Sequence, residues 1–318
     1  MNYCIYKIFR KLRIFFPRIE YKSLACNTNG QQASDQIAKI LVNNNAAMIC
    51  RFGASELDYI ENSLIVNKWH FKKYLKFLIK QINYLTWESG VINNMINWSG
   101  FFGHSNNNAK KYTKLVYEDA KEIDILGSWL NKEALFNKLL KKKIIIPLAD
   151  LEPYFHENPW SEHLSGKKVL VIHPFNKSIE QQYLKRSFLF ENDRVLPKFD
   201  LITLKSVQTI GGMKSDFNSW FEALEHMKSQ ISEIEFDVAI IGCGAYGFNL
   251  AAHIKRMGKI AIHLGGSVQI LFGIKGRRWE NIPLINQMFN SYWIRPLDSE
   301  KPQAIINAED GKLGGHYW

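Results

Sequence analysis

Three places in this 318-residue sequence combine side chains and spacing suited to chemistry. Directly after the apolar run 46–50 stand Arg51, Phe52 and Gly53, followed by Glu56 and Asp58. A glycine and polar groups at the C-terminal end of a buried strand sit where open α/β sheets bind ligands. Further on, Asp150 and Glu152 lie two residues apart behind the apolar run 143–148. On an extended backbone that spacing aims both carboxylates the same way, and paired hard oxygens suit Mg²⁺ or Mn²⁺ shared with a diphosphate. The same two acids equally fit a helix N-cap and its capping carboxylate. The sharpest pattern is Gly242-Cys243-Gly244-Ala245-Tyr246-Gly247, a G-x-G-x-x-G between an apolar strand at 236–241 and a helix at 248–257. Glycines there permit a tight turn, let the backbone approach a phosphate, and allow a helix to press on a strand. Close packing alone is the competing explanation.

A dinucleotide site of this kind also needs an acid at the end of the next strand to hold the ribose hydroxyls. That strand, at 260–264, runs into His263, Leu264, Gly265 and Gly266 with no carboxylate. NAD or FAD therefore becomes the lesser reading, and another phosphate-bearing ligand the greater. Lys275, Arg277 and Arg278 follow with Trp279, offering cations for phosphate oxygens and an indole for a nucleobase; an exposed basic loop is the alternative. At 167–172 a strand ends in His173, and a helix opening near Ser178 would turn its N–H groups and dipole toward an anion beside Lys177. His173 is a candidate acid or base, although a lone histidine is more often a structural one.

Strands alternating with helical stretches are needed to hold these groups, which argues an α/β fold with a mostly parallel sheet and helices on both faces. Helices are expected at 34–43, at 69–85, across 112–140 with a short strand at 123–128, and at 216–231. Residues 100–111, rich in asparagine, read as a loop. The segment 159–166 reads as a linker, dividing a domain at 31–318 into lobes at 31–160 and 161–318. The lysines and aromatics interleaved in 69–85 could suggest nucleic acid, but no nucleic-acid module accompanies them and none is expected as a partner.

With 46% hydrophobic and 22% charged residues the chain can build a full core, which excludes disorder and fibrous classes. Its net charge of +11 favours anionic partners. Close to half of that excess lies in an arm at 1–30, where Lys7, Arg10, Lys11, Arg13, Arg18 and Lys22 face only Glu20. At 100° per residue Ile5, Ile8, Phe9, Leu12, Phe15 and Phe16 gather on one side, and Pro17 ends the helix. Such an amphipathic helix suits the surface of an anionic membrane through residues 1–22, or else docks on its own core. The four cysteines show no disulfide or zinc spacing, and neither a spanning segment nor a secretory signal is read. A cytoplasmic protein, peripheral at the cytoplasmic face of the membrane, is expected.

Arg51-Phe52-Gly53-Ala54-Ser55-Glu56-Leu57 resembles the R-F-G-x-x-E-L segment of GT-D type bacterial glycosyltransferases. Residues 237–247 and 262–265 look like the strand, Gly-rich turn, helix and strand near the end of those enzymes. The resemblance implies a Rossmann-like fold and a nucleotide-sugar donor, taken as UDP-type. It also implies a role in building surface polysaccharide such as capsule or O-antigen, or another glycan, here on a lipid-linked acceptor. On that footing Glu56, Asp150 and His173 are the catalytic candidates. Arg51, Gly53, Gly242, Gly244, Gly247, Lys275, Arg277 and Arg278 are the donor-binding ones. Family members carry a metal-binding D-x-E within the first motif, whereas Ala54 stands here in place of its first acid. Asp150 with Glu152, or Asp58, would then supply a Mg²⁺ or Mn²⁺ site, unless cations and helix dipoles alone stabilise the leaving group. A dinucleotide-dependent oxidoreductase and a non-catalytic, membrane-associated nucleotide-binding protein are the competing classes.

Overall fold

A computed structural model describes residues 3–17, 20–67, 71–301 and 317–318, with the backbone alone for 3–6. Arg18 of the basic arm and Trp69 at the head of the expected 69–85 helix lie outside the described residues. Seven strands, β1 (Ala47–Cys50), β2 (Ile123–Ser128), β3 (Ile144–Pro147), β4 (Lys168–His173), β5 (Asp200–Lys205), β6 (Val238–Ile241) and β7 (Ile260–His263), form one sheet. Their order is β3-β2-β1-β7-β6-β4-β5, and every pairing is parallel. All strands therefore end on the same edge.

Period-two alternation sends successive strand side chains into two separate cores. Met48, Leu170, Ile172, Ala239 and Ile241 enter the core beneath helices Ala54–Asn67, Asn106–Asp119, Trp220–Ser232 and Gly247–Arg256. Ile49, Val169, Val171, Val238 and Ile240 enter the opposite core, under helices Gly30–Asn43 and Asn176–Tyr183. The sheet is thus doubly wound, as its nearly continuous apolar strands require. The strands supplied by 31–160 and 161–318 join through the pairing of β1 with β7. Segment 159–166, read as a linker, instead carries the 3₁₀ turn Trp160–Leu164 with Trp160 and Leu164 fully buried.

Local differences from the sequence reading have tertiary causes. Helix Gly30–Asn43 starts ahead of the expected Ser34 because Asp150 accepts from the Gly30 N–H at 2.6 Å, serving as a cap from 120 residues away. Helix Asn106–Asp119 begins inside the expected loop, where the Ser105 hydroxyl accepts from the Asn108 N–H. The 69–85 helix is described only as Phe71–Leu78, since Lys80 takes a positive φ of 56°. The helix expected at 216–231 is Trp220–Ser232, beginning later because the Ser219 hydroxyl caps it by accepting from the Glu222 N–H.

The four central strands β1, β7, β6 and β4 send their following helices alternately to opposite faces. The chain leaves β1 and β6 toward the first core and β7 and β4 toward the second. A crevice must open between diverging connections of this kind, at the carboxyl ends of the central strands.

Candidate active site

The crevice is a cleft of about 590 Å³ at that edge. Loops after β1, β4, β5, β6 and β7 line it, together with Trp98, Ser99, Gly100 and Trp129 and the pair Tyr317 and Trp318. Arg51, Gly53, Glu56, His173, Gly242, Gly244 and Arg278, all singled out from sequence, meet here.

Glu56 is the third residue of helix Ala54–Asn67. Its carboxylate folds back over Gly53, where any Cβ would fall on the carboxylate oxygens, so the glycine makes room for the acid. Burial pushes its pKa up, offset in part by hydrogen bonds from its own N–H and from Ser99 and by the charge of Arg51. Ser99 also acts on the Gly-rich turn. Its carbonyl accepts from the Ala245 N–H at 2.9 Å and would lie 2.6 Å from a Cβ on Gly244, whose φ is +57°. One residue thereby joins the first motif to the last.

The three glycines of the turn are each occupied by protein. A Cβ on Gly242 would meet the Gly265 carbonyl at 2.6 Å and His173 at 2.8 Å, and one on Gly247 would strike the His263 ring. Gly247 itself opens a helix rather than lining the cleft. Close packing accounts for glycine at all three positions, while Gly242 and Gly244 also line the cleft.

Two arginines flank the second Gly-rich loop. Arg51 stacks on Trp129 at 4.6 Å and would be 3.6 Å from a Cβ on Gly265. Arg278 lies 4.3 Å from Trp279 and 5.1 Å from Tyr317, over Gly266. Burial lowers the Arg51 pKa while Glu152 and Glu56 oppose it, yet a guanidinium stays charged in proteins. Lys275 packs against Phe289 at 5.5 Å and Arg277 is exposed; neither lines the cleft. Trp279, 5% exposed, is core beneath Arg278 rather than a platform for a base.

The acids offered for a metal are dispersed. Residues 148–151 form a 3₁₀ turn instead of an extended run, so Asp150 and Glu152 take different partners. Asp150 caps the Gly30 helix, while buried Glu152 accepts from Ser267 and from Tyr154 at 2.6 Å, behind Arg51. Asp58 is paired with Lys132 at 2.5 Å. Among the described residues no group of three or more His, Cys, Asp and Glu could hold a metal ion. With Ala54 in the first motif, this donor set does not fit a divalent cation.

His173 is 3% exposed, and burial lowers its pKa to about 3. Its Nδ1 accepts from the Phe175 N–H at 3.0 Å, so the ring proton sits on Nε2 and the imidazole is a neutral donor rather than an acid. His263, lowered to about 4, donates from Nδ1 to the Ile241 carbonyl at 3.2 Å. The helix N-terminus near Ser178, expected to take an anion, is filled from within. Glu300 accepts from the Lys177 N–H at 2.8 Å and from the Ser178 hydroxyl.

Sequence reasoning passed over Ser99, Trp129, Gln208, Gln269, Tyr317 and Trp318. No local pattern marks them, because each reaches the cleft from a segment with its own structural duty. Several side-chain atoms there are buried without a partner: Ser206 Oγ, Gln208 Nε2, Gln269 Oε1 and Trp318 Nε1. Each unsatisfied group costs roughly 1–3 kcal/mol, which a bound polar molecule would recover.

A family model described as a GT-D fold-like domain matches residues 28–271. No curated protein and no solved structure matches the chain.

Both buried histidines are neutral in the fold and titrate normally when unfolded, so acid favours unfolding. Stability is present above the unfolded pKa of about 6.5 and is lost as pH falls toward the folded values. Between pH 7.5 and 5.5 denaturant unfolding should cost the wild type about 1.4 kcal/mol per imidazole beyond the loss in the His173→Asn, His263→Asn double variant. Equal losses in the two proteins would contradict the neutral assignment.

Proposed function

The chain belongs to the GT-D-like family, and from that premise we propose that it is a glycosyltransferase that takes its sugar from a nucleoside-diphosphate donor of UDP type. One observation carries the reading: two aromatic-stacked arginines flank a Gly-rich loop in the same cleft as a carboxyl group of raised pKa. Sugar transfer needs the departing diphosphate neutralised and the acceptor hydroxyl deprotonated. Arg51 and Arg278 answer the first need, since guanidinium forks match phosphate oxygens and the aromatic faces hold them in place. Glu56 answers the second. In its ionised form it takes the proton of the attacking hydroxyl as the bond from sugar to diphosphate breaks.

The unpartnered Ser206, Gln208, Gln269 and Trp318 atoms offer donors and an acceptor to sugar hydroxyls or to the base. His173, through Nε2–H, is assigned to orienting the donor rather than to carrying a proton. A surface polysaccharide or other glycan on a lipid carrier is the acceptor class we propose. No step is routed through a metal.

Calorimetry with UDP-sugars should show binding that survives EDTA and weakens about 10- to 100-fold in Arg51→Ala or Arg278→Ala, the loss of charge-assisted phosphate contacts. Abolition by EDTA would remove the metal-free part of the proposal. Loss in neither variant would remove the arginines from it. Release of free nucleotide should fall roughly 10²- to 10⁴-fold in Glu56→Gln while affinity stays near wild type. Because the carboxylate must be ionised, the acid limb of the wild-type rate profile should lie above the ordinary glutamate range of about 4.3. Gly53→Ala, which displaces that carboxylate, should lower turnover with the fold intact by circular dichroism; full activity in this variant would show that the Gly53–Glu56 packing is dispensable.

A further inference from the structure

The helix Tyr3–Leu12 uses only part of its apolar surface. Phe9 packs on Tyr74 at 4.9 Å, and Arg13, just beyond the helix, lies over Phe77 at 4.7 Å and donates to the Ile82 carbonyl at 3.2 Å. These contacts dock the arm on helix Phe71–Leu78. Ile8 and Leu12, one turn apart beside the docked edge, stay 57% and 44% exposed, and Ile14 and Phe15 beyond them 74% and 84%.

Helix Phe71–Leu78 repeats the arrangement. Tyr74, Phe77 and Leu78 face inward, while Phe71 and Leu75, again one turn apart, are left 72% and 45% exposed. Two touching helices thus each carry an apolar i, i+4 pair in solvent. The residues between and beside those pairs are Lys7, Arg10, Lys11, Lys72, Lys73 and Lys76, and neither helix contains an acid. Such exposed apolar surface costs solubility unless something covers it. Its cationic border repels a second copy of the same face and complements a negative one.

We propose that helices Tyr3–Leu12 and Phe71–Leu78 form one membrane-docking face, inserting Phe15, Leu12, Phe71 and Leu75 into the interface of an anionic bilayer with the lysines and arginines at headgroup level. This is the in-plane binding expected of amphipathic helices with a basic border. It differs from a lone arm lying apolar side down, because the arm's inner edge is spent on Tyr74 and Phe77 and the neighbouring helix supplies the missing apolar contacts. Among the described residues no helix is long and apolar enough to cross a membrane, so contact of this kind stays in the interface.

The test is sedimentation of the full chain with vesicles of phosphatidylcholine alone and of phosphatidylcholine mixed with phosphatidylglycerol. Binding should require the anionic lipid, weaken with salt, and fall about fivefold for each of Arg10→Gln, Lys11→Gln and Lys72→Gln. Phe71→Glu alone should abolish it, with UDP-sugar affinity and circular dichroism unchanged to show that the fold survives. A Phe71→Glu variant that binds like wild type would confine the contact to the arm and overturn the two-helix face. Equal binding to neutral vesicles would overturn the electrostatic part. Absence of vesicle binding together with concentration-dependent dimers that Phe71→Glu dissolves would assign the surface to a second copy and overturn the proposal.

Discussion

The close approach of Ser99 to the turn after β6 is the constraint on which the cleft depends. Its carbonyl holds Ala245, its backbone leaves room for nothing larger than glycine at 244, and its hydroxyl steadies Glu56. A parallel sheet sets all strand ends on one edge, but it does not fix how far apart the following loops stand. Here the distance is set by backbone atoms in contact, and backbone cannot yield as a long side chain can. The acid from the first half and the turn from the second therefore share one wall.

Charge is distributed in the cleft with a matching logic. Burial raises Glu56, Glu152 and Glu133, while Arg51 sits among them and draws each back toward its ionised form. Removing Arg51 would leave buried carboxylates uncompensated, so it has a structural role besides the phosphate contact we propose for it. Arg278 also acts on Glu152 and is steadied by the aromatic faces of Trp279 and Tyr317. The positive charge that these two present, together with unpartnered polar atoms further along the walls, is what supports our proposal of an anionic, hydroxyl-rich ligand.

The same sequence features that could have made additional sites were spent inside the fold. Glu300 fills the helix N-terminus after β4, Asp150 caps the first long helix, Glu152 supports Arg51, and Lys132 holds Asp58 and buried Glu61. Backbone N–H groups and carboxylates must find partners when buried, and partners distant in sequence serve as well as a ligand would. Residue type and spacing signal that a group wants a partner; they do not say whether the partner is foreign.

The amino-acid sequence by itself determined the class of fold, since apolar runs too continuous for one-sided strands, alternating with amphipathic helices, demand a parallel sheet covered on both faces. It also marked Arg51, Gly53, Glu56 and the 242–247 turn, because strand-end glycines and charges are local features of the chain. The dispersal of Asp150 and Glu152 was decided by a 3₁₀ turn and a distant helix that needed a cap. The entry of Ser99, Gln269, Tyr317 and Trp318 into the cleft, the exclusion of Lys275 and Arg277, and the pairing of the arm with helix Phe71–Leu78 were decided by long-range packing alone. Local periodicity fixes which way a side chain faces on its own element, whereas what it faces depends on elements a hundred residues away, and only the folded chain brings those together.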